Sequence, residues 1–138
     1  MIRILATALL ALCLNSSGAF ALSLDQLVMR EGITYKKFTD KPFTGKVDED
    51  LGQGVFKDGK FEGPWVMYWS NGQLRSKGAY KNGKFEGPWV AYYDDGQLWS
   101  KGTYKNGKFE GPWVAYREDG TKVEVSSGIY RNDIKVSD

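Results

Sequence analysis

The chain writes nearly the same 24 residues three times. "KDGKFEGPWVMYWSNGQLRSKGAY" starts at Lys57, "KNGKFEGPWVAYYDDGQLWSKGTY" at Lys81, and "KNGKFEGPWVAY" begins again at Lys105. Tandem units of this length are supersecondary elements that bury their apolar face by stacking on their neighbours. The turn signals inside them narrow the choice further. Asp58-Gly59, Asn71-Gly72, Asn82-Gly83, Asp95-Gly96, Asn106-Gly107 and Asp119-Gly120 are separated alternately by thirteen and eleven residues. Asn-Gly and Asp-Gly suit two-residue hairpin loops, where both central residues need positive φ. The runs between them are rich in Trp, Tyr, Val and Phe and have the length of strands. The expected fold is all-β: an open, curved antiparallel hairpin meander with two strands per repeat.

Two-residue turns fix a register. About Asn71-Gly72 it pairs Trp69 with Leu74, Met67 with Ser76 and Trp65 with Gly78. About Asn82-Gly83 it pairs Tyr80 with Phe85, Gly78 with Gly87 and Ser76 with Trp89. Side chains alternate along a strand, so Phe85, Gly87, Trp89, Ala91 and Tyr93 share an aromatic face with Leu74, Gly78 and Tyr80. Glu86, Pro88, Val90 and Tyr92 fall on a mostly polar face with Gln73, Arg75, Lys77 and Lys81. The same count sets Gly54 opposite Gly63, Gly78 opposite Gly87 and Gly102 opposite Gly111. Followed by Pro64, Pro88 and Pro112, these glycines predict a bend line that Trp65, Trp89 and Trp113 cover. Gly63, Trp65, Gly87, Trp89, Gly111 and Trp113 are thus assigned to building the repeat, with direct ligand binding by the Gly-Pro-Trp motif as the alternative.

The ends are irregular. Residues 1–21 combine Arg3, an apolar run from Ile4 to Leu14 and the sequence Ala19-Phe20-Ala21, the pattern of a secretory signal peptide cleaved after Ala21. Cys13 raises lipid attachment as an alternative, but Leu12 before it is a poor fit to such a site. Residues 22–51 are assigned to a cap: a short helix over Ser23–Glu31, from the spacing of Leu24, Leu27 and Val28, and a degenerate first repeat, with Gly45 where Gly63 stands. Residues 52–127 hold three repeats, at about 54–77, 78–101 and 102–127. Residues 128–138 form a C-terminal cap in which Asp133 replaces the turn glycine and Val136 to Asp138 are expected to fray.

Composition closes off most chemistry. The chain has 19 Lys+Arg against 17 Asp+Glu, no histidine, and Cys13 as its one cysteine. A near-neutral balance gives no bulk argument for nucleic acid. Triads built on histidine, and thiol nucleophiles, disulfides and zinc sites built on His or Cys in residues 22–138, are ruled out by residue type. Glu62, Glu86 and Glu110 recur once per repeat, whereas an acid–base site needs a unique pair in split environments. A non-enzymatic protein without cofactor or metal is expected.

The pattern G-x-Y-x-x-G-x-x-x-G-x-W at Gly78, Tyr80, Gly83, Gly87 and Trp89 resembles the MORN repeat. It recurs at Gly54-Phe56-Gly59-Gly63-Trp65 and Gly102-Tyr104-Gly107-Gly111-Trp113. Tryptophan stands at 65, 89 and 113 where the common form has glycine. With "PFTGKV" in front and "DGQL.S.G.Y" inside each unit, this is more similar to the bacterial variants grouped as YwqK-type antitoxins. The resemblance covers about Tyr35 to Tyr130. It implies a non-enzymatic scaffold for protein or lipid contacts, and by family grouping an antitoxin.

Three surface features compete with plainer explanations. Lysine pairs Lys57/Lys60, Lys81/Lys84 and Lys105/Lys108 flank alternate turns on one edge, with Asp94-Asp95 and Glu118-Asp119 on the other. The lysines suit anionic lipid headgroups or an acidic protein, or simply keep hairpin tips soluble. Trp99 takes the place of Arg75, with Tyr92 and Val114 opposite it and Val90 and Tyr116 nearby. That apolar island is either a partner site or cross-strand packing. Asp48-Glu49-Asp50 suggests a cation site, but Leu51-Gly52-Gln53 lacks the alternating oxygen ligands of a calcium loop, which favours a solvated turn. Three functions follow as expectations. They are an exported scaffold that binds another envelope protein, a neutralising partner of a toxin in the periplasm, and a peripheral contact with anionic lipid.

Overall fold

The computed structural model describes residues 22–138. The signal-peptide segment, its cleavage point and Cys13 lie outside the described residues. Strands β1 (Leu27–Arg30) and β2 (Ile33–Lys36) form a hairpin of their own, and β3 (Gly45–Glu49) and β4 (Gly52–Lys57) open the main sheet. The first repeat adds β5 (Lys60–Phe61), β6 (Gly63–Tyr68) and β7 (Leu74–Lys81). The second adds β8 (Lys84–Phe85), β9 (Gly87–Tyr92) and β10 (Leu98–Lys105). Then come β11 (Lys108–Phe109), β12 (Gly111–Ala115), β13 (Gly128–Arg131) and β14 (Ile134–Ser137). The order β14-β13-β12-β10-β9-β7-β6-β4-β3, with antiparallel neighbours throughout, is the expected open meander.

Beyond the β1–β2 hairpin, whose Leu27 covers Val47, Phe56 and Trp65, the described sheet has no second layer, so its core there is the stack of its own aromatic rings. Phe56, Phe61, Tyr80, Phe85, Tyr104 and Phe109 follow one another at centroid separations of 4.4–5.1 Å. Trp65 and Trp89 meet Phe61 and Phe85 edge-on, and Trp113 lies tilted on Phe109 at 4.2 Å. Pairs of this kind contribute about 1 kcal/mol each beyond the area they bury, so the ladder couples every repeat to the next. Burial keeps the phenols neutral. Tyr80 is pushed up to about 12, by burial first and the neighbouring Tyr104 second. Tyr104 is raised by burial and then by Asp133.

Several local expectations are corrected. No helix forms over Ser23–Glu31. One 3-10 turn at Leu24–Gln26 leads into the β1–β2 hairpin. Glu31 (φ 51°) and Gly32 (φ 76°) make the same two-residue turn as the repeats. A glutamate in the left-handed region hid it, and Leu27 is buried against Val47, Phe56 and Trp65. The end expected to fray is in strand as far as Ser137, which pairs with Ile129, with Val136 at a bulge between that pair and Lys135–Tyr130.

Only alternate turns are two-residue turns. Asp58, Asn82 and Asn106 take φ of 49–53° and their following glycines 76–82°. At the other edge each loop has three residues. Gly72 N–H donates to Trp69 O while Trp69 N–H donates to Gln73 O, and the same pair of bonds recurs at Tyr93/Gln97 and Arg117/Thr121. Here only the glycine has positive φ, as in a type I turn closed by a bulge. Tyr68, not Trp69, therefore pairs with Leu74, while Met67–Ser76 and Trp65–Gly78 stand as expected.

The glycine pairs are also displaced. Tyr80 pairs with Phe85, but Ser76 pairs with Ala91 rather than Trp89. Two extra residues have entered the longer strand, which breaks at Glu62, Glu86 and Glu110. Because the shift is even, the faces are preserved. Gly87 faces Tyr104, and Gly63 faces Tyr80. The bend arises from the positive φ of Gly63, Gly87 and Gly111 (74–84°). Meanwhile Trp65, Trp89 and Trp113 pack on Gly54, Gly78 and Gly102, where a Cβ would run into the indole.

Candidate functional site

The outer face of the second and third repeats carries an open groove of about 440 Å³. Lys101 and Thr103 of β10 form its floor. Pro88 and Val90 of β9 make one wall, Pro112 and Val114 of β12 the other. The register explains the shape: Lys101 pairs with both Val90 and Val114, and Thr103 pairs with Pro88. Small and ring-closed residues on the flanking strands leave a trough that the lysine stem only partly fills.

Trp99 stands on the same strand, toward the acidic edge. It occupies the extra position of a β-bulge, because Leu98 pairs with Tyr92 and Ser100 with Ala91. Arg75 occupies the equivalent bulge of the preceding repeat. Trp99 is 50% exposed. Its ring lies 6.2 Å from Tyr93, and its carbonyl accepts from Tyr116 N–H at 2.8 Å. The four residues named with it therefore separate. Tyr116 is adjacent across the next strand, Tyr92 faces the bulge through Leu98, and Val90 and Val114 lie in the groove walls on either side of Lys101. Tyr93, which the two-residue turn assigned to the aromatic face, is the missed member. It donates its hydroxyl to Tyr116 O at 2.8 Å. Trp69 does the equivalent, donating Nε1–H to Tyr92 O at 3.1 Å, and Arg75 stacks on its ring at 4.7 Å. The pairs Trp69/Arg75 and Tyr93/Trp99 are thus two versions of one contact. The repeat spacing of 24 residues sets Tyr93 in the place of Trp69 just as it sets Trp99 in the place of Arg75, and that parallel was the signal for Tyr93.

The lysine edge is an ordered structure. Lys57/Lys60, Lys81/Lys84 and Lys105/Lys108 are cross-strand neighbours at the three tips, and all six are exposed. Each tip is tied to the preceding repeat. Glu62 accepts from Asn82 N–H at 2.8 Å, Glu86 from Asn106 N–H at 2.7 Å and Glu110 from Asn132 N–H at 3.0 Å. Gly83 and Gly107 N–H donate to Phe61 O and Phe85 O. Thr44 does for Asp58 what the glutamates do, accepting its N–H at 2.9 Å. The recurring glutamates therefore tie hairpin to hairpin, a role their spacing of 24 residues leaves unspoken. Asp48, Glu49 and Asp50 lie at the opposite edge, where Glu49 accepts from Leu24 N–H at 2.6 Å. Among the described residues no group of three or more His, Cys, Asp or Glu is placed to hold a metal.

Residues 61–82 and 85–106 match the MORN repeat variant. The MORN repeat is a non-catalytic repeat module, commonly one that binds proteins or lipids. Comparison with curated proteins gives no match. This chain therefore contains two MORN-type repeats within an open sheet, and their boundaries fall inside the meander traced above.

Proposed function

We propose that the protein is an exported, non-enzymatic module that holds another protein of the bacterial envelope on the outer face of its sheet. One observation carries this reading: the apolar-walled groove on β10 has a half-exposed tryptophan beside it, at a position where the preceding repeat has arginine. Aromatic anchors set in a polar frame are what protein interfaces concentrate their energy on. Export rests on the sequence of residues 1–21.

Affinity capture from an envelope extract tests the site, with the chain and its Trp99→Arg variant as parallel baits. A partner recovered by the first and lost by the second supports the groove end as the contact. A partner held equally by both overturns it. Mass spectrometry of the exported chain tests the location, with Leu22 expected as its first residue. An intact Met1 or a lipid on Cys13 overturns cleavage after Ala21.

A further inference from the structure

We propose that the lysine edge is a binding site for a linear acidic polysaccharide, laid across successive hairpin tips and independent of the groove. The six tip lysines are exposed. Among the described residues the ammonium– or guanidinium–carboxylate contacts are Arg30–Asp40, Lys122–Glu124 and Lys135–Asp138, so none engages a tip lysine. Asp58 stands in the first tip between Lys57 and Lys60, while the glutamates two residues beyond each lysine pair are turned to other work. Glu62 and Glu86 spend an oxygen on the N–H of Asn82 and Asn106.

The lysines are also held in line. Hydrogen bonds between neighbouring tips fix the hairpins relative to one another. The stem of Lys60 lies along the bare Cα of Gly83, and that of Lys84 along Gly107. A Cβ at either glycine would be 3.6 Å from the lysine Cβ and within 4 Å of its Cγ and Cδ. The stems of Lys60 and Lys84 thus lie from one hairpin onto the next, and the lysine pairs follow one another along the stack. Two strands per repeat place successive lysine pairs about 10 Å apart, the length scale of a disaccharide in an extended chain bearing one carboxylate per sugar or per pair. A sheet of this kind twists from strand to strand. A flexible polymer can follow such a line, whereas a flat bilayer meets only part of it.

Titration with oligogalacturonates of increasing length tests this, run beside vesicles of phosphatidylserine and phosphatidylcholine and at several salt concentrations. Chains long enough to cover three tips should bind at least about tenfold tighter than chains covering one, because added contacts multiply. Binding should weaken steadily with salt. The variant Lys81→Gln/Lys84→Gln/Lys105→Gln/Lys108→Gln should lose about tenfold or more of the long-chain affinity. The Lys→Arg variant at the same four positions should keep it, and Lys77→Gln/Lys101→Gln on the outer face should leave it unchanged. Affinity independent of chain length would overturn the proposal. So would full binding by the glutamine variant, or vesicle binding without polysaccharide binding. The length series needs only the unaltered chain, so it decides the matter even if the glutamine variant folds poorly.

Discussion

The two long edges of the sheet solve the same problem differently. At the lysine edge the tips share one set of bonds: a two-residue turn, a side-chain oxygen of the preceding unit on its first N–H (Thr44, Glu62 or Glu86), and a phenylalanine carbonyl on its second. At the opposite edge the backbone repeats just as faithfully, with three-residue loops at Trp69/Gln73, Tyr93/Gln97 and Arg117/Thr121. The side chains there do not. Arg75 over Trp69 becomes Trp99 beside Tyr93. Tips that must dock on both neighbours tolerate little variety, while a bulge that points a side chain at solvent leaves its identity free. The uniform edge holds the stack, and the variable edge is where one repeat can be made different from the next.

The sharpest break in that picture comes from the glycines between the edges. A Cβ on Gly78 would stand 2.5 Å from Cε3 of Trp89, whose ring cannot swing away from its Phe85 contact without opening the ladder. Gly78→Val should cost about 3 kcal/mol, as overpacking of a tight contact does. Gly87→Ala should cost less, about 1–2 kcal/mol, because a Cβ there meets nothing and only the φ of 84° resists it. Urea midpoints of the two variants give the ranking. The reverse order would mean that the indole does not cover Gly78.

These two glycines also show what the sequence could and could not convey. The meander and its faces were legible because Asn-Gly and Asp-Gly turns and alternating aromatics state them directly. The position of the bend was legible in Gly-Pro-Trp, but not its cause, since a dipeptide turn signal does not say whether the loop has two residues or three. The alternation of thirteen and eleven residues held the answer. Adjacent strands of unequal length force extra residues into the longer one, and they enter at Glu86-Gly87. The missed Tyr93 follows from the same error, because the longer loop and the bulge shift residues 97–99 along their partner strand and bring Trp99 beside Tyr93.

At the lysine edge, Glu86→Ala should cost about 1 kcal/mol, the net worth of one hydrogen bond to a charged group in partial exposure. The loss should be local. Amide exchange should speed up at Asn106 and Gly107, while Gly96 at the other edge keeps its rate. Uniform acceleration at both edges would show that the tie is not specific to the tip.

The aromatic ladder just inside that edge predicts an alkaline limit. The folded-state pKa of Tyr80, about 12, lies above the ordinary value of about 10 for an unfolded chain. The stabilisation tied to its neutral phenol is therefore fully present below pH 10 and is lost as pH rises from about 10 to about 12. Urea midpoints should hold through pH 9 and then fall, and Tyr80→Phe should flatten part of the fall. A midpoint already declining at pH 8 would place the sensitive group elsewhere.

The smallest effect on stability should come from the residue with the largest proposed effect on binding. Trp99→Arg copies the preceding repeat, where Arg75 fills the same bulge and its guanidinium stacks at 4.7 Å on Trp69. Tyr93 offers the new arginine a comparable ring. The backbone bond from Tyr116 N–H to the residue 99 carbonyl does not depend on the side chain. Half of the indole is already in water, so the area forfeited is small, and a change of about 0.5 kcal/mol is expected for such a surface position. The double variant Tyr93→Trp/Trp99→Arg reproduces the Trp69/Arg75 pair and should melt within the same margin. If the single variant is markedly unstable while the double is not, the two versions of this contact are interchangeable only as pairs. Trp99 would then be chosen by Tyr93 rather than by a partner. If both fold as the parent does, the fold leaves the tryptophan unexplained, and the loss of captured protein by Trp99→Arg becomes a direct measure of what it contributes to binding.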